Sequence, residues 1–263
     1  MSTPPNDTII DINGLHKVYK ASSGKPVHAL KDISLSIQRG EFVSFIGPSG
    51  CGKSTLLRLV ADLIQPSEGQ IVINGHSPKT ARTNREYGFV FQSPTLYDWR
   101  TVIKNVQLPL EVMNYSRKQR DKEANALLEL VELSGFGDHY PWQLSGGMQQ
   151  RVSIARALVF KPPLLLMDEP FGALDEMTRE RLNSELLSIW RQMPEMTILF
   201  VTHSISEAVY LSDRVVVMSP RPGRVHQIVD IDLPRPRTTA MMESDAYFQE
   251  TSRVRHLLRE VQQ

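Results

Sequence analysis

The sequence lacks several features that would assign it to a class of protein directly. It has a single cysteine, Cys51, so no disulfide can form within the chain, which suits the reducing cytosol. It has no run approaching the roughly 20 apolar residues of a membrane span. Residues 1–7 are polar and proline-rich, without an apolar signal region. We therefore expect any work at a membrane to require docking on another protein.

A large excess of one charge is also missing. The chain has 30 lysines and arginines against 29 aspartates and glutamates, a formal net charge of +1. This balance disfavours a polyanion-binding face, and so nucleic acid as the main partner. Apolar residues make up 41% of the 263 residues, enough for a substantial core in one large α/β domain or two smaller ones.

The most informative stretch is Gly47-Pro48-Ser49-Gly50-Cys51-Gly52-Lys53-Ser54-Thr55. It lies between an apolar run at 42–46 and a helical pattern, which is the context that the phosphate-binding pattern G-x-x-x-x-G-K-[ST] requires. We expect main-chain N–H groups and the helix N-terminus to face phosphate, with Lys53 on the β- and γ-phosphates and the Ser54 hydroxyl on magnesium. The alternative, an ordinary turn rich in glycine and serine, fits the complete pattern poorly.

Hydrophobic periodicity predicts an α/β fold. Strands are predicted at 9–17, 29–37, 42–46, 70–74, 87–91, 164–167, 197–201, 215–218 and 225–231, and residues 21–26 are predicted as a loop. The short connections near the N-terminus favour antiparallel pairing, whereas the continuous apolar runs at 164–167 and 197–201 are typical of buried parallel strands.

Helical patterns are interleaved with these strands. Helices are predicted at 54–64, 116–133, from about 146 to 160, at 177–191 and at 204–211, while residues 99–110 have a mixed pattern. In a last helix, one face carries Tyr247, Thr251, Val254, Leu258 and Val261. The predicted architecture is a main domain at 9–242, a helical subdomain inserted at about 93–160, and a C-terminal helix at 243–263; Pro234-Arg235-Pro236-Arg237 is predicted to end the main fold.

Several polar residues follow predicted strands. Gln92 follows the strand at 87–91, Asp168 and Glu169 follow the strand at 164–167, and His203 follows the strand at 197–201. Ligands of open α/β sheets bind beyond the carboxyl ends of the strands, so Gln92 is expected to face the phosphate site. Each residue also has an ordinary alternative as a solvated turn, a polar strand end, or a packed or surface histidine.

Taken in order, these motifs resemble the ATP-binding cassette ATPases, from about residue 9 to about residue 236. The specific feature is Ser145-Gly146-Gly147, followed by Gln149-Gln150-Arg151, which distinguishes this family among phosphate-loop NTPases. The resemblance implies a phosphate-loop NTPase core with a mostly parallel sheet, an N-terminal antiparallel β subdomain and an inserted α-helical subdomain. Its cofactors would be ATP and Mg²⁺.

The resemblance also implies roles for single residues. Tyr19 would stack on adenine, although it is also readable as an ordinary strand-end tyrosine. Ser54, Gln92 and Asp168 would surround magnesium, directly or through water. Glu169 would be the general base on the attacking water, and His203 would contact the γ-phosphate.

A second group of residues would act across a dimer. Ser145 and Gly147 would face the γ-phosphate bound to the other subunit, with the helix from Gly146 pointing its N-terminus at it. Asp175 belongs to the loop that would communicate across this interface. The expected assembly is a head-to-tail homodimer that closes around two ATP molecules and separates after hydrolysis.

The chain carries one cassette, an arrangement more usual in importers than in exporters. Leu96, Tyr97 and Trp99 are expected either to line a groove for a helix of the permease or to belong to the core of the insert. The stretches 219–224 and 232–236 resemble the nitrate, sulfonate, taurine and pyrimidine-precursor importers, and no large C-terminal regulatory domain is expected.

The predicted function is therefore the ATPase subunit of a small-nutrient importer at the cytoplasmic face of the inner membrane, with a solute-binding protein as an indirect partner. The alternative is a soluble cassette ATPase of cofactor assembly or translation. Two residues depart from the family pattern. Met148 replaces a usual glutamine, with little expected effect, and Asp62 stands where glycine is common.

Overall fold

The computed structural model of the protein describes residues 7–20 and 24–262. The predicted polar N-terminal segment at 1–7, apart from Asp7, and positions 21–23 of the predicted loop lie outside the described residues. The strands are β1 (Thr8–Tyr19), β2 (Val27–Gln38), β3 (Phe42–Ile46), β4 (Glu68–Ile73), β5 (Tyr87–Val90), β6 (Leu164–Asp168), β7 (Thr197–Val201), β8 (Arg214–Met218) and β9 (Val225–Asp230). The helices are α1 (Lys53–Val60), α2 (Pro78–Thr83), α3 (Val102–Val112), α4 (Arg117–Leu130), α5 (Gly146–Leu158), α6 (Glu176–Arg191), α7 (Ile205–Leu211) and α8 (Asp245–Glu260).

The strands form two sheets, and the predicted α/β architecture is confirmed. The smaller sheet has the order β2-β1-β4, with both pairs antiparallel. The larger sheet has the order β5-β6-β7-β3-β8-β9, parallel except for β9. β2 and β3 are joined by a short turn but belong to different sheets, so the expected antiparallel pairing holds for β1 with β2 and is wrong for β2 with β3.

The central strands of the larger sheet are buried on both faces. Every residue of β3, β6 and β7 is buried, which explains their continuous apolar sequences. Two hydrophobic cores lie on opposite sides of this sheet, and alternate residues of one strand serve each. Leu165 and Met167 belong to one core, whereas Leu164 and Leu166 belong to the other.

Helices α1 to α4 each end without a glycine in the position that most often terminates a helix. The residue that follows each helix cap is non-glycine and left-handed: Asp62, Arg85, Asn114 and Glu132, with φ from +51° to +59°. At the end of α1, Asp62 N donates to Leu59 O and Leu63 N donates to Arg58 O, which is the Schellman pattern. The same pair of bonds ends α2, α3 and α4. The predicted extensions of α1 to residue 64 and of α4 to residue 133 are therefore wrong.

The Schellman motif also explains Asp62. Glycine is common there because the backbone is left-handed, and aspartate tolerates this conformation better than most residues. The Asp62 carboxylate then accepts hydrogen bonds from Gln65 Nε2 at 2.6 Å and Arg82 Nε at 2.9 Å. It thus contacts the otherwise unpredicted helix α2.

The mixed pattern at 99–110 contains a helix that sequence analysis did not assign. Asn105 is fully buried within α3, where its side chain binds the main chain at Tyr97, Arg100 and Thr101. Pro109 lies inside the same helix. A buried asparagine and an internal proline weaken the helical pattern in the sequence, although here the asparagine holds the preceding loop in place.

The chain after β9 packs against the preceding elements rather than ending the fold at 234–237. Arg237 is buried and donates to the main-chain oxygens of Val209, Tyr210 and Ser212, at and just beyond the C-terminal end of α7. Burial lowers the pKa of Arg237 to about 10. In α8, Tyr247, Thr251 and Val254 of the predicted face are buried together with Leu257, whereas Leu258 and Val261 are only partly buried. Across the described residues, no helix has the length and apolar character needed to cross a bilayer.

Candidate nucleotide-binding site

The glycine-rich loop lies at the carboxyl end of β3 and opens α1. Gly52 is the N-cap residue, with φ +108°, and a Cβ there would lie 2.6 Å from Leu30 Cδ2. Lys53 is only 5% exposed, and its Nζ donates to Gly47 O at 2.9 Å and Pro48 O at 3.3 Å. The lysine therefore closes the loop over its own main chain, with its charge held where a phosphate would be bound.

The elements around this loop bring three predicted metal-site residues to one edge of the sheet. Ser54 Oγ donates to Asp168 Oδ1 at 2.7 Å, joining the start of α1 to the end of β6. Gln92, two residues beyond β5, donates through Nε2 to Glu169 Oε2 at 3.4 Å. The carboxyl ends of β3, β5 and β6 meet here because these strands are parallel members of one sheet.

Glu169 and His203 form a close pair beside the loop. His203 Nε2 lies 2.5 Å from Glu169 Oε1. Glu169 has φ +49°, and its main-chain N–H donates to Val201 O at 3.0 Å. This left-handed conformation is uncommon for residues other than glycine, and here it occurs directly after the last residue of β6.

Tyr19 lines a cavity beside the glycine-rich loop. This cavity measures about 210 Å³ and contains residues of the glycine-rich loop together with Glu169 and His203. Tyr19 is 38% exposed, and Lys17 Nζ lies 5.0 Å from the centre of its ring. The ring is thus oriented by a neighbouring cation while part of it stays open.

The Ser-Gly-Gly motif lies elsewhere. Ser145 is the exposed N-cap of α5, where its Oγ accepts from Met148 N at 3.3 Å. Asp175 caps α6 by accepting from Thr178 N at 3.0 Å, and this main-chain hydrogen bond lowers the pKa of Asp175. A Cβ on Gly147 would lie 3.1 Å from Thr178 Cγ2, so the two helix starts are adjacent. Neither Ser145, Gly147 nor Asp175 lines the cavity around the glycine-rich loop.

The structure also places residues near the site that the sequence analysis did not select. Thr202, directly after β7, donates to the buried carboxylate of Glu207, and burial raises the pKa of Glu207. Both line a second cavity, of about 390 Å³, which also contains Glu169 and His203. Arg221, from the loop between β8 and β9, lines the first cavity. It lies in the stretch 219–224, which the sequence analysis related to importers but not to the nucleotide site.

Helix α5 also holds the loop that follows Gln92. Arg156 donates to Pro94 O and Thr95 O at 2.8 Å each, and Gln150 Nε2 donates to Phe91 O at 3.4 Å. Helix α5 is therefore capped by Ser145 and, through its side chains, donates hydrogen bonds to the main chain around Gln92.

The sequence profile of the family described as ABC transporter matches residues 30–172, more than half of the chain. The chain belongs to the ABC transporter family. Its match spans the glycine-rich loop, Gln92, the Ser-Gly-Gly motif and Glu169, whose geometry is given above. As a member, it is an ATP-hydrolysing cassette.

Three relatives show how far the similarity extends. The uncharacterized ABC transporter ATP-binding protein MJ0412 of Methanocaldococcus jannaschii is 50% identical over 89% of this chain and 86% of its own length. The aliphatic sulfonates import ATP-binding protein SsuB of Bacillus cereus is 44% identical over 87% of this chain and 88% of its own length. The taurine import ATP-binding protein TauB of Pelagibacter ubique is 44% identical over 81% of this chain and 79% of its own length.

Two solved cassettes have the same fold. A dimeric, post-hydrolysis structure of MJ0796 with ADP and Pi superposes with a TM-score of 0.75 and 36% identity, covering 86% of this chain and all of that one. CbiO1 of Clostridium perfringens, part of the ABC transporter complex cbiONQ, superposes with a TM-score of 0.77 and 28% identity, covering 98% of this cassette and all of that chain.

Proposed function

We propose that this cassette is the ATPase subunit of an importer and that the cavity around Lys53 is its ATP site. The observation that carries the proposal is the convergence of Lys53, Ser54, Asp168, Glu169 and His203 on one edge of the parallel sheet. Tyr19 would stack on adenine at one end of the cavity, and the main-chain N–H groups of residues 47–55 would bind the phosphates.

The residues present fit a magnesium ion that accompanies ATP. Ser54 and Asp168 supply hard oxygen atoms already in contact, and Gln92 has an amide oxygen at the same edge. Among the described residues, no group of three or more His, Cys, Asp or Glu side chains is arranged to hold a metal. Mg²⁺ commonly uses one or two protein carboxylates and completes its coordination with phosphate and water. When bound, it would neutralise phosphate charge.

The remaining side chains would act on the phosphates and on water. Lys53 would exchange its bonds to Gly47 and Pro48 carbonyls for phosphate oxygens. Glu169 would orient the attacking water and accept its proton, with His203 holding that carboxylate in position. Catalysis of this reaction depends mainly on positioning and charge stabilisation, which suits a site of this composition.

Two cassettes would be needed for each site. Ser145, which caps α5, and Gly146 are exposed, whereas Gly147 is buried, and none of the three lines the cavity of its own chain. We infer that they cover the triphosphate held by a second copy, with Asp175 beside them. The dimeric MJ0796 cassette supports this arrangement.

A groove between the helical insert and the edge strand β5 would receive the permease. It has a volume of about 600 Å³, and its lining includes Tyr87, Phe91, Tyr97, Pro109, Val112, Met113, Arg82, Arg85, Arg156 and Phe160. Of the three residues expected there, Tyr97 lines the groove, Trp99 is 75% exposed with its ring 4.7 Å from that of Tyr97, and Leu96 packs on the insert core. Because Arg156 joins this surface to the Gln92 loop, docking would be coupled to the ATP site.

The substrate class follows from the named relatives. Aliphatic sulfonates and taurine are small organosulfonates, so we propose import of a small anionic nutrient, delivered by a solute-binding protein, with the cassette at the cytoplasmic face of the membrane. The import names of these relatives favour this function over a soluble cassette of cofactor assembly or translation.

Membrane retention tests the groove directly. Co-expression with its permease subunits should bring the cassette into the membrane fraction, and Val112→Arg in the groove should release it while basal ATPase activity stays unchanged. Leu63→Arg is the matched control, because Leu63 is also exposed but lies outside the groove. Equal retention of both variants, or a wild-type cassette that stays soluble with the permease present, would contradict the importer proposal.

A further inference from the structure

The loop between β8 and β9 is built into the nucleotide site. Gly223 N donates to Ala29 O and Lys31 N donates to Gly223 O, both at 3.0 Å. A Cβ on Gly223 would lie 1.9 Å from Cys51 O, so this loop contacts the glycine-rich loop directly and only glycine fits at the contact. The position of the loop is therefore fixed on two sides.

This anchoring places the guanidinium of Arg221 at the cavity. Its Nε and Nη2 both donate to Gly50 O, at 3.3 Å each. Gly50 has φ +75°, and a Cβ there would lie 3.3 Å from Arg221 Nη2, so the absence of a side chain at Gly50 leaves room for the guanidinium. Arg221 lines the same cavity as Lys53 and Tyr19.

The charges around the cavity leave Arg221 available for a ligand. Lys53 is bonded to loop carbonyls, and the acidic lining residue Glu169 is paired with His203. Arg221 uses two of its five N–H groups on one carbonyl oxygen, at the long end of hydrogen-bond distances. Its remaining donors form a planar fork of the kind that binds two phosphate oxygens at once.

We propose that Arg221 is a nucleotide-binding residue that contacts the phosphates of bound ATP and ADP from the loop between β8 and β9. This inference rests on the proposed ATP site and adds a binding residue from a part of the chain outside the recognised motifs. The guanidinium would keep Gly50 in place and add a second positive charge beside Lys53. Phosphate is favoured over the base because the Arg221 side chain is bonded to the phosphate loop itself.

Equilibrium titration of the full-length protein with ATP and with ADP tests this role. We expect Arg221→Met, which keeps the length of the chain and loses the charge, to raise the Kd for both nucleotides about tenfold, as for one charge-assisted hydrogen bond in a partly solvated site. The KM for ATP should rise with it while kcat changes less than about threefold, since this contact is present in the ground state as well as the transition state. Arg221→Lys keeps the charge and loses the fork, so it should recover part of the affinity.

Two controls separate the possible outcomes. Arg224→Met removes an exposed cation from the same loop and should bind as the wild type does, whereas Lys53→Ala should lose binding. Wild-type affinity in Arg221→Met, with binding lost in Lys53→Ala, overturns the Arg221 assignment alone. An Arg221→Lys protein as weak as Arg221→Met, with a lowered Tm in both, also overturns it, because the arginine then only braces the loop. Failure of the wild type to bind ATP instead refutes the proposed ATP site.

Discussion

The two regions predicted to contact ATP, the glycine-rich loop and the Ser-Gly-Gly motif, differ in how their side chains are held. Around the glycine-rich loop, side chains from separate parts of the fold are in contact: Ser54 with Asp168, and Glu169 with His203 and Gln92. At the Ser-Gly-Gly motif, Ser145 is exposed, and its hydroxyl accepts a hydrogen bond from the main chain in the first turn of its own helix. The first region is assembled from contacts within one subunit, whereas Ser145 in the second region is exposed on the surface.

This difference indicates separate roles for the two regions in nucleotide binding. A helix N-terminus attracts anions, but an exposed one binds them weakly unless other groups complete the site. The loop side has charged and polar groups from several elements, so it holds a nucleotide by itself in our proposal. In the same proposal, the motif side would contribute only when a second subunit supplies the nucleotide, and dimerisation would then depend on ATP.

The largest effect should come from the base on the loop side. Glu169→Gln keeps the shape and the hydrogen-bonding capacity of the side chain but cannot take a proton, so we expect turnover to fall by about 10²–10⁴-fold. ATP binding should persist, and the variant should accumulate as a closed dimer in gel filtration with ATP. Glu129→Gln, an exposed change on α4, is the control. A variant that turns over ATP within a few-fold of the wild type would remove Glu169 from this role.

Mixing two inactive variants tests whether the glycine-rich loop of one subunit and the Ser-Gly-Gly motif of another form one active site. Lys53→Ala damages the loop side and Ser145→Arg blocks the motif side. A mixed dimer contains one site in which both halves are intact, so we expect the mixture to regain a substantial part of the wild-type ATPase rate while each variant alone stays inactive. If activity does not return although mixed dimers form by crosslinking, the two halves do not combine across subunits.

Thiol labelling compares the packing of the two regions. Cys51 is buried, and burial raises the pKa of its thiol, so less of the reactive thiolate is present at neutral pH. We expect maleimide to label Cys51 at least about tenfold more slowly than the exposed thiol of Ser145→Cys in a Cys51→Ala background. Since the raised pKa shifts ionisation upwards, the Cys51 rate should keep increasing above pH 9. Equal rates at pH 7 in the folded proteins would mean that the loop is open.

The smallest effect concerns two matched helix caps in the insert. Ser116 caps α4 by accepting from Gln119 N, much as Ser145 caps α5. Replacing either serine with alanine should cost about 1 kcal/mol of unfolding free energy. Only Ser145→Ala should also lower the ATPase rate, because only that hydroxyl faces nucleotide in the proposed dimer. Denaturant melts and ATPase assays on both variants measure this, and similar losses of activity would assign Ser145 a purely structural role.

Part of the fold was predictable because local patterns and tertiary packing agree. The buried strands at 42–46, 164–168 and 197–201 are apolar apart from Ser44, Asp168 and Thr197, and the helix predicted from residue 116 begins where Ser116 caps α4. Helix ends were less predictable. The chain ends four helices with left-handed Asp62, Arg85, Asn114 and Glu132, for which sequence carries a weaker signal than for glycine.

The site shows the same limit. Gln92, Asp168, Glu169 and His203 were found because each follows a strand and because their order resembles a known family. Arg221 carries no such local pattern. Its place beside Gly50 depends on Gly223 packing against Cys51, a contact between two loops some 170 residues apart.

The sequence by itself determined the phosphate-binding loop, the alternation of strands and helices, and the membership of an ATP-hydrolysing family, because these depend on spacing along the chain. The tertiary structure alone decided which polar groups meet: the pairing of His203 with Glu169, the grip of Arg156 on the Gln92 loop and the approach of Arg221 to Gly50. These contacts depend on how strands are ordered in the sheet and where loops fold back, and neither is encoded in any short stretch of residues.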